Sequence, residues 1–282
     1  MAFLIADSGS TKTHWILVEN GISVKEYTGD GMNAYVYSDD QIVSAIQRAR
    51  SEFIKEISTS NLFFYGAGCS TRENKNRMHK LFELGGFSPE AVVVEHDLMA
   101  AARALFNRRE GIACILGTGS SSCHIKDGNI QNRLPSLGYI IGDEGGGFDL
   151  GSRLLKGVLK GHAPKAVIEL FNEEYNLMAD EIISALYSSP KPNQYIASFA
   201  PFLSKNIEID YCKDLVRQAL ESFVKTDILA YQINSPVGFI GSVAHTFRDI
   251  LKEVISDNKL ELGGIIQSPM KGLIEFHNAG QR

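Results

Sequence analysis

The sequence predicts an α/β protein built from two related domains, on three observations. Short apolar runs ending in small-residue turns alternate with segments of helical spacing, the pattern of strands joined by crossover helices. The chain opens on strand, turn, strand, turn, strand, with Asn20-Gly21 as a two-residue hairpin signal. The same grammar returns at an offset of 110 residues: Gly9 falls on Gly119, Ser10 on Ser120, and a second hairpin signal stands at Asp127-Gly128. The expected domains are residues 1–111 with about 268–282, and residues 112–267.

The elements follow in order. Residues 3–7, 13–19 and 22–27 read as strands. Ile42, Ile46, Ala49, Phe53 and Ile57 recur at helical spacing and predict a helix over 39–57. Residues 61–65 form a short strand that runs into the turn Gly66-Ala67-Gly68, and a helix is expected over 74–84. Val92-Val93-Val94 is a β-branched run of the kind found in buried parallel strands, and LMAAARAL after Asp97 reads as a helix. The second half begins with a strand at 112 and reaches LGYIIGDEGGGFDLG at 137–151, followed by helical spacing through Leu154, Leu155, Val158 and Leu159. Residues 166–186 and 214–230 read as helices, with Pro190 and Pro192 marking a break between helices. VGFIG at 237–241 is a buried strand, and SVAHTFRDILKEVI continues as one helix with Ser242 as its N-cap.

Composition narrows the function classes. With 282 residues, 44% hydrophobic and 22% charged, the chain has the make-up of a globular protein with room for two cores. A net charge of -5 and the lack of any basic run argue against nucleic acid as a partner. The four cysteines, Cys69, Cys114, Cys123 and Cys212, include no CxxC pair, which argues against zinc and for reduced buried thiols. The N-terminus lacks a basic segment before its short apolar run, and no stretch approaches the ~20 apolar residues of a membrane span. The expectation is a cytoplasmic protein.

The chemistry is expected in the turns. Two glycine–hydroxyl turns at equivalent places in two domains supply backbone N–H and side-chain O–H donors suited to phosphate oxygens, where one such turn alone would be only a tight hairpin. No Walker motif is present, and the opening turn leads into a strand rather than a helix. Lys12 lies beside that turn and is equally readable as a surface lysine. Asp7, at the end of the first strand, can hold Mg²⁺ directly or through water, or cap the turn. Asp97 ends a parallel strand and begins a helix; local sequence leaves open an N-cap and a general base at the ligand-binding end of the sheet. GDEGGG at 142–147 sets Asp143 and Glu144 among glycines, suited to sugar hydroxyls, a metal, or an acidic surface loop. Gly241-Ser242 reads as a nucleotide contact or as a tight helix start. His96, His124 and His245 read as isolated structural or surface residues.

Taken in order, DSGSTKT, VVVEHDLMAAARAL, ILGTGSSS, GYIIGDEGGG and GFIGSVA resemble the N-acetylglucosamine kinase family, of the BadF/BadG/BcrA/BcrD ATPase-like group within the actin-like, sugar-kinase and heat-shock-chaperone ATPase fold. The resemblance spans nearly the whole chain. It implies two ribonuclease-H-like (actin-like ATPase) domains flanking a nucleotide cleft, with ATP and Mg²⁺ as cofactors. It places Asp7, Gly9, Ser10, Thr11 and Lys12, with Gly117, Thr118 and Gly119, on the phosphates. Gly241, Ser242 and Thr246 would lie by the adenosine. Asp97 matches the catalytic base, and Asn33, Ser120, Ser121, Gly138 and Asp143 fall where the family contacts the sugar. The implied reaction is in-line transfer of the γ-phosphoryl group to a sugar 6-hydroxyl. The chain departs from the family at Ser136-Leu137-Gly138, where animal members carry a tryptophan, and at Ser121, which replaces an asparagine. Both changes bear on which sugar is bound. A homodimer is compatible with this reading. The alternatives are an activator ATPase of a radical dehydratase, which would hold an iron–sulfur cluster by cysteines at a dimer interface, and a non-catalytic sugar-responsive regulator.

Overall fold

The computed structural model describes residues 2–53 and 61–279. The stretch of the predicted first helix beyond Phe53, with Ile57, lies outside the described residues. The chain divides into two compact units, one of residues 1–109, 127–129 and 268–282, the other of residues 110–126 and 130–267.

In the first unit, β1 (Ala2–Ser8), β2 (Lys12–Glu19) and β3 (Ile22–Asp30) run as an antiparallel meander. Asn20 and Gly21 both have positive φ, 50° and 84°, the requirement of the tight hairpin turn whose twist matches the strands. Then come α1 (Asp39–Glu52), β4 (Asn61–Gly66), α2 (Arg72–Leu84), β5 (Val92–His96) and α3 (Asp97–Phe106). β4 pairs parallel to β1, and β5 pairs parallel to β4, giving the order β3-β2-β1-β4-β5. α1 begins at a capping box, Ser38 with Gln41. α2 begins two residues earlier than its apolar pattern indicates because Thr71 caps it. β5 is an edge strand, so Val93 is 42% exposed rather than buried. Alternation along β1 and β2 feeds two cores: Leu4, Ala6, Trp15 and Leu17 on one face, Phe3, Ile5, Ile16 and Val18 on the other.

The second unit repeats the plan. It holds β6 (Gly111–Leu116), β7 (Ser120–Lys126), β8 (Asn129–Arg133), α4 (Gly147–Leu159), α5 (Lys165–Tyr175), α6 (Ala179–Ser188), α7 (Pro192–Ala197), α8 (Ala200–Lys205), α9 (Asp210–Phe223), β9 (Val237–Ile240), α10 (Ser242–Thr246), α11 (Arg248–Asp257) and β10 (Leu262–Ile266). The sheet order is β8-β7-β6-β9-β10, the same third-second-first-fourth-fifth order as in the first unit. β6 pairs antiparallel to β7 and parallel to β9, and Asp127-Gly128 turns with φ of 53° and 75°. The internal repeat read from the turns is therefore a repeat of topology.

Three predicted helices in this unit are interrupted. Asn176, in the left-handed conformation with φ 46°, ends α5 and splits the expected 166–186 helix. The 214–230 helix leaves α geometry after Phe223, continuing as a π-helical turn over Val224–Ile228 and a 3₁₀ turn over Leu229–Tyr231. The segment after β9 breaks at Phe247 into α10 and α11. Apolar spacing survives each break, which is why periodicity alone does not reveal them. The core is rich in aromatic groups, including Phe171, Phe199, Phe202, Phe223 and Phe239. The last helix, α12 (Met270–Ala279), returns to the first unit and buries Met270 and Leu273 against Phe3, Ile5 and Ala100. Among the described residues, no helix is long and apolar enough to cross a membrane.

Candidate functional site

At the carboxyl end of the first sheet, the turn after β1 is held in place by a chain of hydroxyls. Ser8 Oγ lies 2.8 Å from Thr13 Oγ1, which donates to the Asp30 carbonyl at 2.7 Å, and the Met32 N–H donates to Ser8 Oγ at 2.9 Å. Asn33 Nδ2 donates to Ser10 Oγ at 2.7 Å, and Tyr37 O–H donates to the Ser10 carbonyl at 2.8 Å. The structure thus ties Asn33, expected at the sugar, to Ser10, expected at phosphate. Thr11 faces a separate cavity of about 410 Å³ with Asp30, Tyr37 and Arg48. Lys12 is exposed at the start of β2, close enough for its charge to act on Asp7.

Asp7 and Asp97 close the ends of β1 and β5, on either side of β4. Burial, and then the Asp97 carboxylate, push the Asp7 carboxyl up to about 7, with Lys12 pulling the other way. The raised Asp7 carboxyl and the neighbouring Asp97 carboxylate, at the ends of two strands, form a donor set that a hard divalent cation would satisfy. Asp97 is not the N-cap of α3. His96 takes that position and Asp97 is the first helical residue, its Oδ1 accepting from the Leu98 N–H at 2.8 Å. His96 is not isolated either: its Nε2 lies 2.9 Å from the same Oδ1, while its Nδ1 is buried with no hydrogen-bond partner. The ring and the helix terminus both anchor one carboxylate oxygen, which leaves Oδ2 available for chemistry.

In the second unit, the turn after β6 adjoins two cavities. The Gly147 N–H donates to the Gly117 carbonyl at 2.8 Å and the Phe148 N–H to the Thr118 carbonyl at 2.9 Å, so α4 is pinned to the turn. A cavity of about 180 Å³ is lined by Gly117, Thr118, Ser242 and Thr246 with apolar Val243 and Phe247. This mixture of hydroxyls, turn backbone and apolar wall fits a nucleotide. Gly241, not Ser242, is the N-cap of α10. Its φ of 120° and the Leu116 carbonyl carbon, 2.9 Å from where a Cβ would sit, admit only glycine there.

The second cavity, about 320 Å³, is lined by Ser120, Ser121, Ser122, Asp143, Glu144 and Asp227, with Leu134, Pro135 and Leu137 as its apolar part. The Ser120 N–H donates to Asp143 Oδ1 at 3.3 Å, and a Cβ on Gly119 would come within 2.6 Å of Asp143 Cγ. Glycine at 119 is therefore what lets Asp143 seat against the turn. Burial first, then Glu144, raises Asp143; burial first, with Glu144 and Asp143 contributing, raises Asp227. Gly138 has φ 70° in the loop between β8 and α4 and does not line this cavity, although Ser136 and Leu137 do. Sequence reading missed Ser122, Thr226 and Asp227. Asp227 reaches the cavity because it sits on the π-helical turn, and apolar periodicity carries no sign of that turn.

Two sheets of identical strand order, each with a glycine–hydroxyl turn after its first strand, define the fold class of the actin-like sugar kinases. A solved glucokinase from Streptomyces griseus, 13% identical, superposes over 99% of both chains with a TM-score of 0.60. Residues 6–273 match the BadF/BadG/BcrA/BcrD ATPase family, and the chain belongs to that family. It is 36% identical, over 99% of its length and 100% of the other chain, to a crystal structure from Porphyromonas gingivalis whose assignment as an N-acetylglucosamine kinase is provisional, with a TM-score of 0.91. It is also 25% identical over 227 residues (76% of this chain, 72% of the relative) to an N-acetylmuramic acid/N-acetylglucosamine kinase from Clostridium acetobutylicum. An N-acetyl-D-glucosamine kinase from Dictyostelium discoideum is 22% identical over 73% of this chain and 71% of its own.

Proposed function

We propose that the protein is an ATP-dependent kinase that phosphorylates the 6-hydroxyl of N-acetylglucosamine or a related amino sugar. The observation that carries this reading lies in the second unit: one hairpin turn adjoins two cavities, one with a nucleotide-like lining at Gly117, Thr118, Ser242 and Thr246, the other hydroxyl- and acid-lined at Ser120, Ser121 and Asp143. The names of three relatives point the same way.

In this reading Gly9, Ser10, Thr11, Gly117, Thr118 and Gly119 bind phosphate oxygens, with Lys12 adding charge. Gly241, Ser242 and Thr246 hold the nucleoside end, while Asn33, Ser120, Ser121 and Asp143 orient the sugar, with Gly138 in the adjoining loop. Asp97 takes the proton of the 6-hydroxyl as that oxygen forms its bond to the γ-phosphorus and the bond to the ADP oxygen breaks. A positioned base is worth ~10²–10⁴ in rate. The anchoring of Oδ1 by Leu98 and His96 aims Oδ2 for that task. Asp7 would hold Mg²⁺, which neutralises phosphate charge when bound.

The dehydratase-activator alternative asks for cysteines that can reach a shared cluster. All four cysteines are buried, and burial holds the Cys69 thiol up at about 12 and pushes the Cys114 thiol well above its usual value, which disfavours the thiolate. The test is coupled ADP release with Mg-ATP over a panel of hexoses and amino sugars, on wild type and Asp97→Asn. Turnover that depends on N-acetylglucosamine and collapses in the variant is expected; ATP binding with no sugar-dependent turnover would overturn the reading.

A further inference from the structure

We infer that the cavity beside β7 selects against anionic sugars, with Asp227 as the selecting residue, so that the substrate is an uncharged or cationic amino sugar and not one bearing a carboxylate. The inference rests on the reading of Ser120, Ser121 and Asp143 as sugar contacts.

Three carboxyl groups, Asp143, Glu144 and Asp227, line this one cavity of about 320 Å³, and among the described residues no lysine, arginine or histidine lines it. They come from two separate parts of the chain, the 142–147 loop and the π-helical turn at 224–228. Glu144 acts electrostatically on Asp143, and both Glu144 and Asp143 act on Asp227, so the three share one field. Asp227 is fixed there by local partners. Thr226 O–H donates to its Oδ2 at 2.8 Å, and Ser122 Oγ stands 3.5 Å from its Oδ1, at the outer limit of a hydrogen bond. Ser122 is in turn 3.0 Å from the Tyr231 hydroxyl, which accepts from the Leu134 N–H at 3.2 Å. The acid is thus coupled to both the strand and the apolar part of the lining.

Such a cavity accepts hydrogen bonds from sugar hydroxyls and from an acetamido N–H, and Leu134, Pro135 and Leu137 offer apolar surface for an acetyl methyl. A carboxylate on the sugar meets like charge from these three groups and finds no counter-ion among the described lining residues, and like-charge juxtaposition is among the most costly ways to bind a wrong partner. N-acetylmuramic acid is N-acetylglucosamine carrying a lactyl ether that ends in a carboxylate. The Clostridium acetobutylicum relative, whose name includes that sugar, is one from which this chain would differ.

The test measures kcat/KM and, by calorimetry, binding for N-acetylglucosamine, glucosamine, N-acetylmuramic acid and the methyl ester of N-acetylmuramic acid, which keeps the bulk and loses the charge. Wild type is expected to disfavour N-acetylmuramic acid by about 100-fold or more relative to N-acetylglucosamine, with most of that recovered for the ester. Asp227→Asn is expected to raise the ratio of N-acetylmuramic acid to N-acetylglucosamine at least ~10-fold; a merely structural role would move both sugars together. Equal use of the acid and N-acetylglucosamine, rejection of the ester as strongly as the acid, or an unchanged ratio in Asp227→Asn would each overturn the inference. Binding in the expected order without turnover would uphold the selectivity and sink the kinase reading. No binding of any of the four sugars would sink both.

Discussion

His277 is the clearest site at which this fold stakes stability on a protonation state. It lies on α12, is 7% exposed, and stacks on Phe63 at a centroid separation of 3.7 Å. Arg103 Nη1 donates to Tyr65 Oη at 2.9 Å, which leaves the Tyr65 O–H to donate to His277 Nε2 at 2.8 Å. His277 must then be a neutral acceptor at that nitrogen. Burial, reinforced by the Arg103 charge, lowers its pKa from 6.5 to about 3. The unfolded chain therefore binds a proton between pH 6.5 and 3 that the native protein refuses, so this contribution to stability is complete above 6.5 and declines as pH falls toward 3. At pH 5 the loss is about 2 kcal/mol, or ~4–8 °C in Tm for a protein of this size class. The assay is urea unfolding of wild type and His277→Gln, a non-titrating acceptor, at pH 7.5 and 5. Acidification is expected to cost wild type about 2 kcal/mol more than the variant. Parallel losses, or an NMR titration of the His277 ring with a midpoint near 6.5, would refute the reasoning.

Three further outcomes follow from the site. Asp97→Asn keeps an oxygen for the Leu98 N–H, so Tm should stay within about 2 °C while kcat with N-acetylglucosamine drops ~10²–10⁴-fold; loss of the fold with loss of activity would assign Asp97 to structure. Gly241→Ala meets the Leu116 carbonyl from a backbone at φ 120° and should lose about 3 kcal/mol, seen as a fall in the midpoint of urea unfolding together with weaker ATP binding; a wild-type midpoint would refute it. For Asp7 the sign is opposite to His277. The native carboxyl keeps its proton up to about 7 while the unfolded one releases it near 3.8, so its stabilising contribution is present below 3.8 and lost as pH rises through 7. Ligand-free Asp7→Asn should therefore gain thermal stability relative to wild type above pH 7, by calorimetry, while losing Mg-ATP-dependent turnover; a variant less stable than wild type at pH 8 would contradict this.

Local chemistry in the sequence determined the two hairpins, the repeat and the strands other than β10, a largely exposed edge strand with two glycines and no apolar run to mark it. Asn-Gly and Asp-Gly are nearly alone in accepting two successive positive φ values, and strands buried on both faces read as unbroken apolar runs. The recurrence of a glycine–hydroxyl turn after a first strand anticipated that both sheets share one strand order, but the ladders end at Ser8–Thr13 and Leu116–Ser120, so the structure sets Gly9 against Gly117 rather than Gly119. Where helices stop was not legible at 176, 224 and 247, because the apolar face continues through each break and only packing against neighbours selects π or left-handed geometry. The same holds for the candidate site. Motif order singled out Asp7, Asp97, Asp143 and the turns, since those depend on residue type beside a strand end. Asp227, His96 and the Asn33–Ser10 bond were decided by tertiary structure alone. Ser122 and Ser10 reach Asp227 and Asn33 from distant parts of the chain, and His96 turns onto its own neighbour Asp97 by a side-chain conformation that no spacing along the chain encodes.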